Sequence, residues 1–162
     1  MFKFLFKKKE EVFSFNINEL KNATYLSIAE LTHSGELVWS DYRDAYGSAE
    51  ILHQCLKDLN SDDEDKWKDA INEGLLSRAY HQGDLYTATA YSIFELANQC
   101  SKLKPEVREE VIYFVNLCGE RGDDSVLVER SEVTKINSGE LKLLKISEAV
   151  DFFNKMHVQS KS

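Results

Sequence analysis

The sequence predicts an all-α fold built as a short stack of antiparallel helix pairs. Three observations predict it. Apolar residues recur at spacings of three and four through the middle and end of the chain, the helical period. One proline, Pro105, and seven glycines in 162 residues leave too little turn punctuation for a β-rich protein. The apolar pattern of one pair of segments also returns in a second pair further along.

The elements follow in chain order. Residues 1–12, beginning MFKFLFKKKEE, read as an N-terminal tail, with Phe2, Phe4 and Phe6 on alternate positions before a lysine run. Residues 13–162 read as a single helical domain. NELKNATYLSIAEL suits a helix ending near Gly35, and SGELVWSDYRDAYGSA an irregular approach to the paired helices. A helix is predicted from about Ser48 to Leu59, with Ile51, Leu52, Cys55, Leu56 and Leu59 inward. NSDDED makes a turn and an acidic first turn, which complements the next helix's dipole. That helix runs to about Tyr80 with Trp67, Ala70, Ile71, Gly74 and Leu75 inward. A third helix, from about Tyr86 to Cys100, buries Ile93, Leu96, Ala97 and Cys100. Pro105 suits the first position of a fourth helix, which carries Val107, Val111, Phe114, Val115 and Cys118 and stops at Gly119. Residues 121–140 are polar and read as a loop with a short helix. Ile146, Ala149, Val150, Phe153 and Met156 then make an amphipathic stripe, and the segment 121–157 is expected to cap the stack.

Trp67, Ile71 and Leu75 recur as Val107, Val111 and Val115, while Leu52, Leu56 and Leu59 recur as Ile93, Ala97 and Cys100. A helical-pair period of about 40 residues is that of HEAT and armadillo repeats. The expected pairs are 47–80 and 86–119. One such pair cannot bury its own apolar face, so stacking makes the core continuous and terminal units are atypical.

Charge and composition narrow the functional classes. The formal net charge is −8, with the acidic excess mostly beyond residue 46. An acidic surface repels phosphate backbones and favours a basic partner, so direct nucleic-acid binding is not expected. No apolar run approaches the ~20 residues of a membrane span, and MFKFLFKKKEE lacks the order of a secretory signal. The three cysteines, Cys55, Cys100 and Cys118, are widely spaced and on apolar helical positions, as reduced core thiols are. The expected location is the cytoplasm.

No catalytic, cofactor or metal residues are expected. None of the four histidines, His33, His53, His81 and His157, lies at i, i+4 from another histidine or cysteine. There is no HExxH, GxSxG or phosphate-binding glycine loop. Asp62, Asp63, Glu64 and Asp65 lack the alternating spacing and glycine of a calcium loop and read as a solvated helix start.

HQGDLYTAT, residues 81–89, reads as a joint between helices. His81 ends one helix, Gly83 supplies a left-handed turn, Tyr86 packs between pairs, and Thr87 caps the next helix.

With Trp39, Tyr46, Gly47, Ser48 and Ala49 ahead of His81, Gln82, Gly83, Tyr86, Ala88 and Thr89, the stretch 38–122 resembles a bacterial group of HEAT-repeat-like proteins. It departs from that pattern in lacking a proline after the ATA element. The C-terminal third lies outside the likeness. The resemblance implies a non-enzymatic, all-helical binding scaffold, of a kind found beside secreted polymorphic toxins as candidate immunity proteins. One alternative shares the architecture, a HEAT-like DNA alkylation-repair glycosylase, which wants a basic face that this chain lacks; another is a regulatory adaptor for a host enzyme. In HEAT-like stacks the second helices of the pairs line the concave face. The expected partner-binding residues are therefore Asp69, Glu73, Glu109, Glu110 and Tyr113, as one acidic stripe facing a basic protein such as a toxin domain.

Overall fold

The computed structural model of the chain describes residues 12–16, 20, 22–33, 37–121 and 123–161. The expected tail lies outside these residues except for Val12. The helix expected to end near Gly35 is partly outside them. Its described part is a short extended stretch followed by helix α1, Ile28–His33.

The chain is mostly helical. Strand β1, Val12–Asn16, comes before α1. After α1 a 3-10 turn, Trp39–Asp41, leads into strands β2, Arg43–Asp44, and β3, Gly47–Ser48. Helix α2, Glu50–Asp58, follows. Helix α3, Glu64–Asp69, runs directly into a π-helical segment, Ala70–Ala79. Strands β4, Tyr80–His81, and β5, Asp84–Leu85, precede α4, Thr87–Gln99. Then come α5, Pro105–Glu120; strand β6, Ser125–Glu129; α6, Arg130–Ser138; and α7, Ile146–Lys161.

The helices start where the local chemistry predicts. Asp63 accepts from the backbone N–H groups of Asp65 and Lys66 at 3.0 and 3.4 Å, capping α3. Pro105 opens α5, where its missing N–H costs nothing. Arg108 donates to the carbonyls of Cys100, Ser101 and Leu103, satisfying acceptors left free where α4 runs out.

The mostly helical fold agrees with the expected class, and among the described residues three short strand pairs add to it. β1 pairs antiparallel with β6, Phe15 opposite Val126. β2 pairs with β3 and β4 with β5 as tight hairpins. Within residues 121–140 the expected short helix is the nine-residue α6, and strand β6 stands where loop was expected. In β6 the alternation is simple: Val126 and Val128 are buried while Ser125, Leu127 and Glu129 are half-exposed.

One apolar core runs through the described residues. Helix α4 lies at its centre, buried from Thr87 to Ile93 and again at Leu96 and Ala97, as befits a helix covered on all sides. Its most extensive neighbour is α7, which also packs against α5 and α1. Helix α2 packs against the π segment, and α5 runs beside the same segment. Gly74 makes the first contact possible: a Cβ there would lie 2.6 Å from Cys55 Cβ. Two expected inward residues are exposed. Ile51 stands 56% exposed near the start of α2, and Met156 38% exposed on α7. Met156 lines cavities against α4, α5 and α1 without filling them. Among the described residues no helix is long and apolar enough to cross a membrane.

The loop before α7 is held by two tyrosines. Tyr42 and Tyr91 both donate to the Lys142 carbonyl, at 3.0 and 2.6 Å, with their rings 4.4 Å apart. Leu143 also exchanges backbone hydrogen bonds with Thr24 and Leu26.

Candidate functional site

The two sequence motifs meet at the hairpins. The joint expected at HQGD takes the form of a two-residue β-hairpin between the π segment and α4. Gln82 and Gly83 have φ values of 52° and 87°. Positive φ at both central residues is the type I′ geometry that suits the twist of the flanking strands. His81 lies in β4, two residues beyond the helical segment, and its ring meets Tyr46 edge-on at 5.6 Å. Thr87 is not the cap of α4. Thr89 takes that role, accepting from the Tyr86 N–H at 2.9 Å and donating to the Ala79 carbonyl at 2.7 Å.

The neighbouring hairpin, β2–β3, is organised by Asp44, which is fully buried. Its Oδ1 accepts from the N–H groups of Tyr46 and Gly47, at 2.8 and 3.1 Å, an Asx-type turn. Its Oδ2 pairs with Arg78 Nη1 at 3.2 Å. Burial outweighs these partners and raises the Asp44 pKa. The Arg78 guanidinium lies 5.1 Å from the Tyr46 ring centroid, and Tyr46 itself is 61% exposed. Arg78 also accepts the Ala45 N–H through its backbone carbonyl at 2.9 Å, so the two hairpins are locked together. Arg121 reaches back to the Gly83 carbonyl and toward Asp84.

Below them lies a second polar chain. Arg43 N–H donates to Thr87 Oγ1 at 2.9 Å, and that hydroxyl donates to Glu132 Oε2 at 2.7 Å. Glu132 also accepts the Glu129 N–H at 3.0 Å. Its pKa is raised, chiefly by burial. Arg43 Nε lies 2.7 Å from Glu129 Oε1 without hydrogen-bond alignment, so the contact is one of charge. Arg43 also lies against the Tyr86 ring, 5.7 Å from its centroid. These polar groups tie elements together through partners within the fold. Among the described residues no three His, Cys, Asp or Glu side chains come together as a metal cluster.

The five expected binding residues, Asp69, Glu73, Glu109, Glu110 and Tyr113, are all exposed, with Tyr113 at 54%. Glu109 and Glu110 line a groove of about 270 Å³ between the α3–π stretch and α5, together with Trp67, Lys68, Ile71, Asn72 and Glu106. Asp69, Glu73 and Tyr113 do not line it. Regular helical repetition places Asp69 and Glu73 in register with α5. Lys68 and Asn72, one helical turn apart, line the groove instead, beside Trp67 and Ile71. Sequence reasoning missed Glu106, Lys68 and Asn72 in the groove, because the spacing of apolar residues does not say which flank of each helix faces its neighbour. It took Trp67 for core alone. It also missed Asp44 and Arg78, although an aspartate two residues before Tyr-Gly is a recognisable turn signal.

The groove is acidic in charge balance. Lys68 Nζ is engaged by Glu64 at 2.6 Å. Glu106, Glu109 and Glu110 have no ion-pair partner among the described residues. Lys104, near the start of α5, is turned to Asp62 and the Ser61 carbonyl, at 3.6 and 3.3 Å. Its volume lies below the roughly 300–1,000 Å³ of small-molecule sites, and suits a side chain or two of a larger partner.

No protein-family model matches the chain, and comparison with curated proteins and with solved structures also returns no match.

Proposed function

We propose that this protein is a non-enzymatic, HEAT-like scaffold that binds a basic protein partner through its acidic helical face. In this reading it acts as an immunity protein that occupies a toxin domain. The observation that carries the proposal is the unpaired acidic surface of α5, where Glu109 and Glu110 stand beside the exposed Tyr113. Carboxylates of this kind steer a basic partner and set association rate, while a tyrosine supplies contact area at low entropic cost. The packing of α2 and α5 on the two sides of one helical stretch supports a stacked-pair ancestry. The motif likeness to immunity-type HEAT proteins supports the partner class.

The test is the double variant Asp69→Lys/Glu109→Lys, with both positions exposed and folding therefore little affected. Its association with an affinity-captured basic partner is measured at low and high salt. The variant is expected to associate about tenfold more slowly at low salt, with the difference shrinking at high salt. An unchanged rate at both salts removes this face from the binding surface.

A further inference from the structure

We infer that the groove between α3–π and α5 is a recognition slot for a basic, backbone-exposed peptide segment, with Trp67 as its anchor; this rests on the acidic-face reading and sharpens it. Trp67 is only 9% exposed and lines the groove. Its indole N–H has no acceptor among the described residues. Nor is it sealed: the side-chain donors shut away from solvent without a partner are those of Arg43. A donor without a partner in the fold, on a side chain nine-tenths buried that lines a groove, is matched by an acceptor on whatever enters the groove. A peptide carbonyl is the acceptor that every polypeptide carries. The Asn72 amide, on the same wall, offers a second donor to the chain of the guest.

The other wall selects charge. Glu106, Glu109 and Glu110 project from successive turns of α5 with no internal cation. The nearest basic group, Lys68, is held by Glu64 and lies 5.9 Å from the Trp67 ring centroid. A lysine or arginine of the guest therefore meets three open carboxylates, while its aliphatic stem lies against Ile71 and the indole, as long basic side chains do on apolar surface. The slot takes a segment in which a basic residue neighbours an aliphatic one. An acidic segment meets like charge, which costs binding.

The chain holds two tryptophans, so an ¹⁵N-labelled sample gives two indole N–H resonances, and Trp67→Phe assigns them. The probe is the blocked peptide Gly-Lys-Leu-Lys-Gly, with Gly-Glu-Leu-Glu-Gly as its control. The basic peptide is expected to shift the Trp67 indole resonance and leave Trp39 unmoved, and the acidic peptide to shift neither. Glu109→Gln/Glu110→Gln should abolish the shift. Trp67→Phe, followed through α5 backbone amides, should weaken binding about fivefold, the equivalent of one net hydrogen bond. If the basic peptide binds in a manner lost on Glu109→Gln/Glu110→Gln yet the Trp67 indole stays unmoved, the slot is wrong and the acidic face stands. If the basic peptide shifts nothing on α5, the slot is wrong, and the acidic face is judged by the double lysine variant alone. Equal shifts with the acidic peptide also overturn it.

Discussion

Single residues at the hairpins set the local geometry, and two of them respond to substitution in opposite directions. Gly83 has φ +87° and a Cβ there would meet nothing within 4 Å, so its replacement costs backbone strain alone. Gly83→Val should lose about 1–3 kcal/mol. Gln82 pays a smaller penalty for its own positive φ. Gln82→Asn should gain about 0.5–1 kcal/mol, since asparagine tolerates that region and Asn-Gly favours type I′ turns. Urea denaturation of both variants checks the pair, and a gain on Gly83→Val would refute the turn assignment. Asp44 shows the other kind of single-residue effect. It is fully buried and serves two backbone N–H groups and Arg78. Asp44→Ala should cost about 3 kcal/mol, the low end for removing one partner of a buried pair. The low end applies because Arg78 keeps some exposure and the Tyr46 ring. A loss below about 1 kcal/mol, the net worth of one ordinary hydrogen bond, would show that Asp44 does not organise the hairpin.

At the scale of elements, the approach of α2 to the π segment depends on the absence of a side chain at Gly74. Gly74→Ala puts a methyl 2.6 Å from Cys55 Cβ and 3.0 Å from its Sγ. Overpacking of this kind costs about 1–3 kcal/mol, offset in part by the better helix propensity of alanine. A net loss of about 1–2 kcal/mol is expected. The clash is mainly with Cβ, so adding Cys55→Ala should not restore stability, which thermal unfolding of the double variant tests. Beside this contact the acidic stripe drawn from α-helical repetition splits. Trp67, Lys68, Ile71 and Asn72 line the groove against α5, and Asp69 and Glu73 lie outside it.

Over the whole molecule, burial raises the pKa of several carboxyls. Asp44, Glu95 and Glu132 are all raised, with burial the largest cause in each. A carboxyl whose folded pKa exceeds its unfolded one keeps its proton longer in the native state. Its favourable contribution is complete below the unfolded value, about 4, and is lost as pH rises through the folded one. Stability should therefore fall over the interval that starts near pH 4 and extends above the ordinary carboxylate range. Glu132→Gln removes one of the three groups and should flatten that slope. Chemical denaturation across mildly acidic to neutral pH reads this directly, and a slope as steep as that of the parent would exclude Glu132 as a contributor. The thiols add nothing to this range: burial pushes Cys118 up to about 12, and Cys55 and Cys100 are also raised.

The sequence by itself determined where the long helices lie and which faces they bury. Leu52 and Leu56, Trp67 and Ile71, Ile93 and Leu96, and Val107, Val111, Phe114, Val115 and Cys118 all point into the core. Helical periodicity is a local property, written in spacings of three and four, and so is capping by Asp63 and Pro105. Gly83 likewise announced its left-handed turn, because only a residue without Cβ adopts it freely. Tertiary structure decided the rest. Pairing of Val12–Asn16 with Ser125–Glu129 joins segments far apart in the chain, and no local pattern names the partner of a strand. The Asp44–Arg78 pair and the chain from Arg43 through Thr87 to Glu132 likewise form between residues far apart in sequence. So does the groove: Glu109 and Glu110 were legible as exposed acids, but their neighbours were not. Which side chains face them depends on how the stretch from α3 into the π segment is turned against α5, which is set by packing between elements and not by the order of apolar residues.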